Sequence, residues 1–394
     1  MLSVPLPNHL KASYKEMRAI AEEKVFQFDL KRWLKQVYCD SVEAEFEAFM
    51  DLDRYERSPS RKDQRNGFYE RSLDTVYGFI EEIRVPRTRH SLFEPTVFER
   101  YQRRESAINK LIVECYWRGI STRDVDAVLK ALSGINVSAS TVSRLTSQWQ
   151  KEVFKWHQRR ISDDYVYLFL DGVWIKNRSL GKKRRLVLVA FGIKSDGTKE
   201  VIDYMLSQTE KEEHWQKFLN FLRHRGLDGE KLKLIATDGC HGLWNAVDMV
   251  FPGIPHQVCW AHKMRNILDK VKESDKEEIH KGLAKIFDKS VRTKKQALAI
   301  VIAWKRRWRQ IYPSAVGSLE AAEERLFAYF DCPWEHHKAI RTTNHIERVF
   351  KEFRRRMRPQ EITPNVHSAD RILYALVQIR NEKLRRWPLE FTQN

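Results

Sequence analysis

The strongest constraint on the fold is a change of hydrophobic period in the middle of the chain. Tyr165 to Leu170 is an apolar, aromatic-rich run that ends on Asp171-Gly172, and Arg185 to Ile193 and Glu200 to Leu206 follow as strands joined through the Ser195-Asp196-Gly197 turn. Glu213 to His224 then places Trp215, Phe218, Leu219 and Leu222 at helical steps. A strand over Leu232 to Ala236 runs into Thr237-Asp238-Gly239, followed by a helix over Gly242 to Val250, a strand over Pro255 to Trp260 and a helix over Ala261 to Val271. Three strands in series, then strands alternating with helices, predict an α/β fold with a mixed sheet. Ligands of such sheets gather beyond the strand C-termini, where Asp171 and Asp238 are both expected.

That order of elements matches a ribonuclease H-like catalytic core, and a third acid is expected on a later helix. Ile340-Arg341-Thr342-Thr343-Asn344-His345-Ile346-Glu347-Arg348, running into Lys351-Glu352-Phe353-Arg354-Arg355-Arg356, puts Glu347 at the start of a strongly basic helix. Carboxylates in basic surroundings point to hard divalent cations facing phosphates, since phosphoryl transfer needs charge neutralised on both attacking and leaving oxygens. The stretch from Asp238 to Glu347 is too long for one helix, one strand and a return. Ile279, Leu283, Ile286 and Phe287, then Ala297, Ile300, Val301, Trp304 and Trp308, then Leu319, Leu326 and Phe330 recur at helical steps, so an all-α insertion is expected over 272–335. Each acid also has an ordinary reading. Asp-Gly is a common turn pair, and Glu347 stands at capping-box spacing from Asn344.

Ahead of this core, Phe28 to Met50 reads as an amphipathic helix and Asp51 to Gln64 as a polar connection. Asn66-Gly67 is a turn signal before short runs at Phe68 to Val76 and Phe79 to Val85, separated by Gly78 and ended by Pro86, which predict a small antiparallel meander. A helix-turn-helix is expected next. Ser121 caps a first helix with Val125, Val128, Leu129 and Leu132 inward, Gly134 marks the turn, and Ser138 caps a second helix with Val142, Leu145 and Trp149 inward. Ser140, Thr141, Arg144, Ser147 and Gln148 then face outward, suited to phosphates and base edges; an ordinary helical hairpin is the alternative. The expected division is 1–64 for an N-terminal helical region, 65–104 for the β segment, 105–158 for the helix-turn-helix, 159–271 and 336–394 for the two parts of the core, and 272–335 for the insertion.

Charge indicates the partner. The 394 residues carry a formal net charge of +18, from 71 Lys and Arg against 53 Asp and Glu, as expected for a protein that meets a polyanion. Lys305-Arg306-Arg307-Trp308-Arg309 interleaves basic and aromatic side chains; Arg306 and Arg307 are candidate phosphate contacts, and Trp304 and Trp308 read either as base-stacking platforms or as core. The 5 cysteines are scattered and odd in number, which favours a reducing compartment, and no apolar run approaches the roughly 18 residues that span a bilayer. A cytoplasmic protein with no membrane role is expected.

The chain resembles the Mutator-type transposases of bacterial insertion sequences. The resemblance is carried by Asn66-Gly67-Phe68-Tyr69-Glu70-Arg71, Val85-Pro86-Arg87, Gly119-Ile120-Ser121-Thr122-Arg123-Asp124 and Ser138-Ala139-Ser140-Thr141-Val142-Ser143. It continues through Leu170-Asp171-Gly172, Thr237-Asp238-Gly239 with Gly242 and Phe251-Pro252, Cys259-Trp260-Ala261-His262 with Arg265-Asn266, and Thr342-Thr343-Asn344 with Glu347. It implies a DDE triad of Asp171, Asp238 and Glu347 that binds two Mg²⁺ ions, with Mn²⁺ able to substitute, on a ribonuclease H-like fold interrupted by an all-helical insertion. Cys259 and His262 match the family's cysteine-or-aspartate, two residues, histidine signature. Zinc is the alternative reading of that pair, with His256 nearby but no clear fourth ligand.

The implied partners are double-stranded DNA at terminal inverted repeats and target sites, contacted also by Arg348, Lys351, Arg354, Arg355 and Arg356. A homodimer or larger assembly is expected, with Phe28 to Met50 a candidate interface, in a bacterial cytoplasm at the nucleoid. Two rivals are a DNA-binding regulator without catalysis and a nuclease that only hydrolyses.

Overall fold

In the computed structural model the described residues are 30–51, 62–99, 102–176, 184–357 and 365–389. Phe28 and most of the polar connection expected over 51–64 lie outside them. The chain divides into two compact units, Met1–Tyr116 with Ile120–Thr146, and Trp117–Gly119 with Ser147–Asn394.

In the first unit, helix α1 (residues 30–50) packs on an antiparallel hairpin of β1 (Arg65–Thr75) and β2 (Gly78–Thr88). Val42 shares one apolar cluster with Leu73, Ile80, Ile83, Val85 and Phe98, while Phe46 meets Phe93 edge-on at 4.9 Å. The inward stripe of α1 is therefore covered within its own unit, and Trp33 and Val37 stay exposed on the helix. Two turn signals are corrected. Asn66-Gly67 lies inside β1 at a register shift, with Gly67 at φ 67°, which is a bulge; the reversal is at Val76-Tyr77. Pro86 sits within β2 opposite Phe68, tolerated because each strand of a two-stranded sheet has a free edge where a missing N–H costs nothing.

Helices α2 (Ser106–Trp117), α3 (Asp124–Ser133) and α4 (Ala139–Ser147) follow. The Ser121 hydroxyl accepts from the Asp124 N–H at 3.2 Å, Gly134 closes α3 in the left-handed region at φ 72°, and the Ser138 hydroxyl accepts from the Thr141 N–H at 3.2 Å. Val125, Leu129, Val142 and Leu145 are buried as expected. Leu132 and Trp149 are not: Leu132 is 63% exposed, while Ile135 and Val137 of the turn are buried. Trp149 falls in the turn beyond α4, off its helical stripe, and stands edge-on to Trp117 at 4.6 Å.

The second unit begins with α5 (Gln150–Gln158) and is built on one five-stranded sheet of order β5-β4-β3-β6-β7. β3 (Tyr165–Lys176), β4 (Arg184–Lys194) and β5 (Lys199–Ser207) are antiparallel, and β6 (Leu234–Thr237) and β7 (His256–Val258) continue parallel to β3. α6 (Glu212–His224) and α7 (His241–Val250) are the crossovers, and Trp215, Phe218, Leu219, Leu222, Leu243 and Val247 join Leu168, Leu170 and Leu188 in the main core. Sheet sides alternate along β3, so Phe169 points to the other face. There its ring meets His345 of α13 (Asn344–Met357) at 5.3 Å.

Between β7 and α13 the chain holds α8 (Trp260–Leu268), α9 (Lys276–Ala284), α10 (Lys294–Trp308), α11 (Pro313–Glu320) and α12 (His337–Ile340) with short 3₁₀ turns. α14 (Val366–Arg385) covers the outer edge of β5, where the Asn381 amide accepts from the Val201 N–H at 2.8 Å and donates to the Val201 carbonyl at 3.0 Å. No described helix is long and apolar enough to cross a membrane.

α5, β5 and α14 are joined by a buried charge cluster. His157 donates from Nδ1 to Asp203 at 2.7 Å and from Nε2 to Asp370 at 3.2 Å, and Arg225 pairs with the second Asp203 oxygen. Burial alone would lower the His157 pKa, but the two carboxylates raise it to about 9. Its contribution to stability is then complete below the ordinary histidine pKa and disappears as pH rises through about 9. Removing one partner of such a pair strands buried charge. We predict that His157→Gln costs about 3 kcal/mol in urea unfolding at pH 6, and that the gap to wild type closes by pH 10; a gap independent of pH would refute the charged pairing.

Candidate active site

The parallel ladder of β3 and β6 sets Leu170 opposite Thr237, so the next residues, Asp171 and Asp238, are neighbours across it. Asp238 follows the end of β6 as expected. Asp171 does not end a strand, because β3 runs on to Lys176 paired with β4 alone. Its Oδ1 accepts from the Gly172 N–H at 2.7 Å, and its Oδ2 is buried without a hydrogen-bond partner. Asp238 Oδ1 accepts from the Cys240 N–H at 3.1 Å.

The third acid arrives on α13. Ile346, Val349, Phe350, Phe353 and Met357 bury one stripe of that helix, and the His345 ring lies parallel to Phe191 at 5.5 Å. Glu347 then turns toward His262, whose Nε2 is 3.3 Å from its carboxylate, rather than toward the helix N-terminus. One ligand atom each from Asp171, His262 and Glu347 lies within 4.8 Å of the other two. Asp238 is outside that compact triple, although its charge acts on Asp171.

Cys259 and His262 have separable jobs. Cys259 is buried at the start of α8, its N–H bonded to the Thr237 carbonyl at 2.8 Å, and its sulfur accepts from the Thr343 N–H at 3.2 Å and hydroxyl at 3.4 Å. It thereby ties the end of β6 to the residue before α13. His262, one turn on, faces the acids. His256 bonds Thr237 Oγ1 at 2.7 Å and Arg325 at 2.6 Å, so it adds no ligand to a zinc site with this pair.

Burial, then the charge of Asp238, pushes Asp171 well above the usual carboxylate range, and burial raises Asp238 as well. His262 is raised to about 9 by its hydrogen bond to Cys259 and by the charges of Cys259, Asp171 and Asp238. Burial opposes ionisation of Cys259, yet the hydrogen bond and charge of His262 hold its thiol below the ordinary value. The centre is acid-rich, desolvated and balanced only in part by one imidazole, an environment a divalent cation relieves.

The expected nucleic-acid contacts fare unevenly. Ser140, Arg144, Ser147 and Gln148 are exposed and Thr141 half-buried, with the Ser138 hydroxyl 3.0 Å from that of Thr141. On α13, Arg348 and Lys351 are exposed with no ion pair among the described residues, Arg355 pairs with Glu352 at 2.9 Å, Arg354 lies 3.8 Å from Glu347, and Arg356 donates to the Arg118 carbonyl at 2.6 Å. In α10, Arg306 is exposed and Arg307 is paired with Glu278. Trp304 and Trp308 are buried, which removes them as stacking platforms. One acid escaped the sequence reading: Glu210, in the loop before α6, lies over Gly172 and is raised by burial and by Asp238. Its one signal is position, on the loop that leaves β5 at the sheet end where Asp238 stands.

Residues 7–386 match the family described as Transposase, Mutator family. The chain belongs to that family of transposases. It is 35% identical over 379 residues, 94% of each chain, to the transposase for insertion sequence element IS256 in transposon Tn4001 of Staphylococcus aureus. The transposase for insertion sequence element ISRM5 of Rhizobium meliloti is 33% identical, covering 88% of this chain and 86% of its own. That for IS1201 of Lactobacillus helveticus is 31% identical, covering 86% and 91%. The match runs through both units of this transposase.

Burial of Trp304, whose indole N–H reaches the Ile279 carbonyl at 3.3 Å, makes a stability prediction. Trp304→Ala should cost about 3–5 kcal/mol in urea unfolding, while Trp304→Phe should leave single-stranded DNA affinity unchanged on the scale of the ~1–3 kcal/mol that a stacked base supplies. The opposite pattern would return Trp304 to the nucleic-acid surface.

Proposed function

We propose that this transposase cuts and joins DNA at the terminal inverted repeats of its insertion sequence by metal-assisted phosphoryl transfer, on a ribonuclease H-like core. The observation that carries the reading is the meeting of Asp171 with Glu347 and His262, beside Asp238 on the neighbouring strand, around a buried Asp171 oxygen that has no partner. The sheet order β5-β4-β3-β6-β7, with its second strand antiparallel and its last two parallel to the central one, supports the core assignment.

Hard oxygen donors at this spacing fit Mg²⁺, and the imidazole of His262 in the group makes Mn²⁺ acceptable as well. When bound, two such ions supply a nucleophile at neutral pH and charge neutralisation on the departing oxygen. The chain's own part is to hold the ligands. Asp171 is fixed by the ladder and by the Gly172 N–H, and Glu347 by the Cys259–Thr343 contact and the packing of α13. Water is the attacking species in cleavage, and the 3′-hydroxyl released by that step attacks the target phosphodiester in joining. The phosphorus passes from one oxygen to another at each step, so no serine or tyrosine nucleophile is required. Outward residues of α4 and the basic positions of α13 would position the duplex through its phosphates.

Asp171→Asn and Glu347→Gln are expected to lower cleavage of an element-end duplex by roughly 10³-fold or more, the several kcal/mol that metal charge stabilisation supplies, with binding retained. Wild-type protein that binds but never nicks with Mg²⁺ or Mn²⁺ would favour the regulator, and nicking without joined products would favour the hydrolytic nuclease. Separately, Arg348→Ala with Lys351→Ala should flatten the log–log salt dependence of binding by about 0.9 for each phosphate no longer neutralised. An unchanged slope would take that face of α13 out of the interface.

A further inference from the structure

A fourth carboxylate approaches the acidic centre from the other side of the sheet. β5 is antiparallel to β4, and β4 to β3, so β5 points the same way as β3 and β6, and the loop leaving it opens at the Asp238 end. Glu210 lies in that loop. A Cβ added to Gly172 would stand 3.2 Å from Glu210 Oε1, which puts the carboxylate directly over the residue that follows Asp171. The Glu210 carbonyl faces Cys240 Sγ at 3.9 Å, and a Cβ on Gly242 would come within 3.0 Å of the Glu212 N. Gly172 and Gly242 thus clear the space through which this loop reaches Asp171 and Asp238; neither is a turn glycine.

Among the described residues no ion pair or hydrogen bond engages the Glu210 carboxylate. It is half-buried. Burial and the Asp238 charge both oppose its ionisation. A second observation points the same way, since Asp171 is 4% exposed and its Oδ2 is left without a partner. Leu168 and Leu170 of β3 lie in the core with α6, whereas Phe169 meets His345 of α13. The centre therefore receives Glu347 from the α13 side of the sheet, and Glu210 from the side to which a Cβ on Gly172 would point.

We propose, resting on the metal-dependent reading above, that Glu210 is a fourth carboxylate ligand of the divalent-cation centre, on the Asp238 side. It gives the second cation position an oxygen donor that the compact triple of Asp171, His262 and Glu347 does not provide.

The test is Mn²⁺ binding to the full-length protein, followed by the paramagnetic resonance signal of free Mn²⁺, with DNA cleavage measured across the same Mn²⁺ range. Glu210→Gln should weaken binding by at least about 10-fold and raise the Mn²⁺ needed for half-maximal cleavage by a similar factor. Asp171→Asn should keep cleavage roughly 10³-fold or more below wild type at every concentration. If Asp171→Asn is inactive while Glu210→Gln binds Mn²⁺ as wild type does, Glu210 is not a ligand and the triad reading stands. A lower metal-free melting temperature with unchanged Mn²⁺ affinity would likewise assign Glu210 to loop structure and overturn the proposal. If Asp171→Asn itself cleaves normally, the acidic centre fails as a whole and Glu210 with it.

Discussion

The short parallel pairing of β6 with β3 is the constraint on which the rest of the second unit depends. β6 has four residues, all buried, and their register against Tyr167 to Leu170 decides that Asp171 and Asp238 come side by side. A slip by one residue would turn every side chain of β6 to the opposite face, so the hydrophobic demand of Leu234 to Ala236 also fixes the position of Asp238. The effect propagates. The Thr237 carbonyl receives the Cys259 N–H, and the Cys259 sulfur receives the N–H and hydroxyl of Thr343, one residue before α13 begins. Three contacts thus carry the register of two strands to Glu347, across a long helical excursion.

This relay explains why the overall order of elements was legible in the sequence while some details were not. Buried faces with a regular period, such as Trp215, Phe218, Leu219 and Leu222, announce themselves because each position must be apolar. The continuation of β3 past Asp171 does not, since Asp-Gly resembles a turn and the pairing that extends the strand comes from β4, an element distant from that local signal. Asn66-Gly67 misleads in the same way, because a bulge and a turn both call for a left-handed glycine. Asp171, Asp238 and Glu347 stood out as candidates because two expected strand ends and a basic helix framed them. Glu210 had no such frame; only sheet direction and the two missing β-carbons of Gly172 and Gly242 bring it into view.

The cysteine and histidine of the Cys259–His262 pair were legible as a pair but not in their division of labour. Sulfur is a weak acceptor, yet at Cys259 it is the group within reach of two donors of Thr343 in a fully buried position. A larger or more polar side chain there would have to find other partners for Thr343 or shift the start of α13. His262 meets a different requirement. It is the one basic side chain within the compact group, and the rise in its pKa reflects the crowding of carboxylates that a proton or a cation there relieves.

Net charge overstates how much of this surface is open to a polyanion. Lys305, Arg307 and Arg309 are paired with Glu323, Glu278 and Glu320, so the helical excursion neutralises much of its own basic run. α13 distributes its cations unevenly: Arg355 and Arg356 are held by Glu352 and by a main-chain carbonyl, whereas Arg348 and Lys351 are exposed without an ion pair among the described residues. The side chains with most freedom to meet phosphate lie within four residues of Glu347. Long-range attraction of DNA can draw on the whole +18, but on the proposed reading close registration of a backbone against the acids would fall to the few cations that the fold has not already engaged.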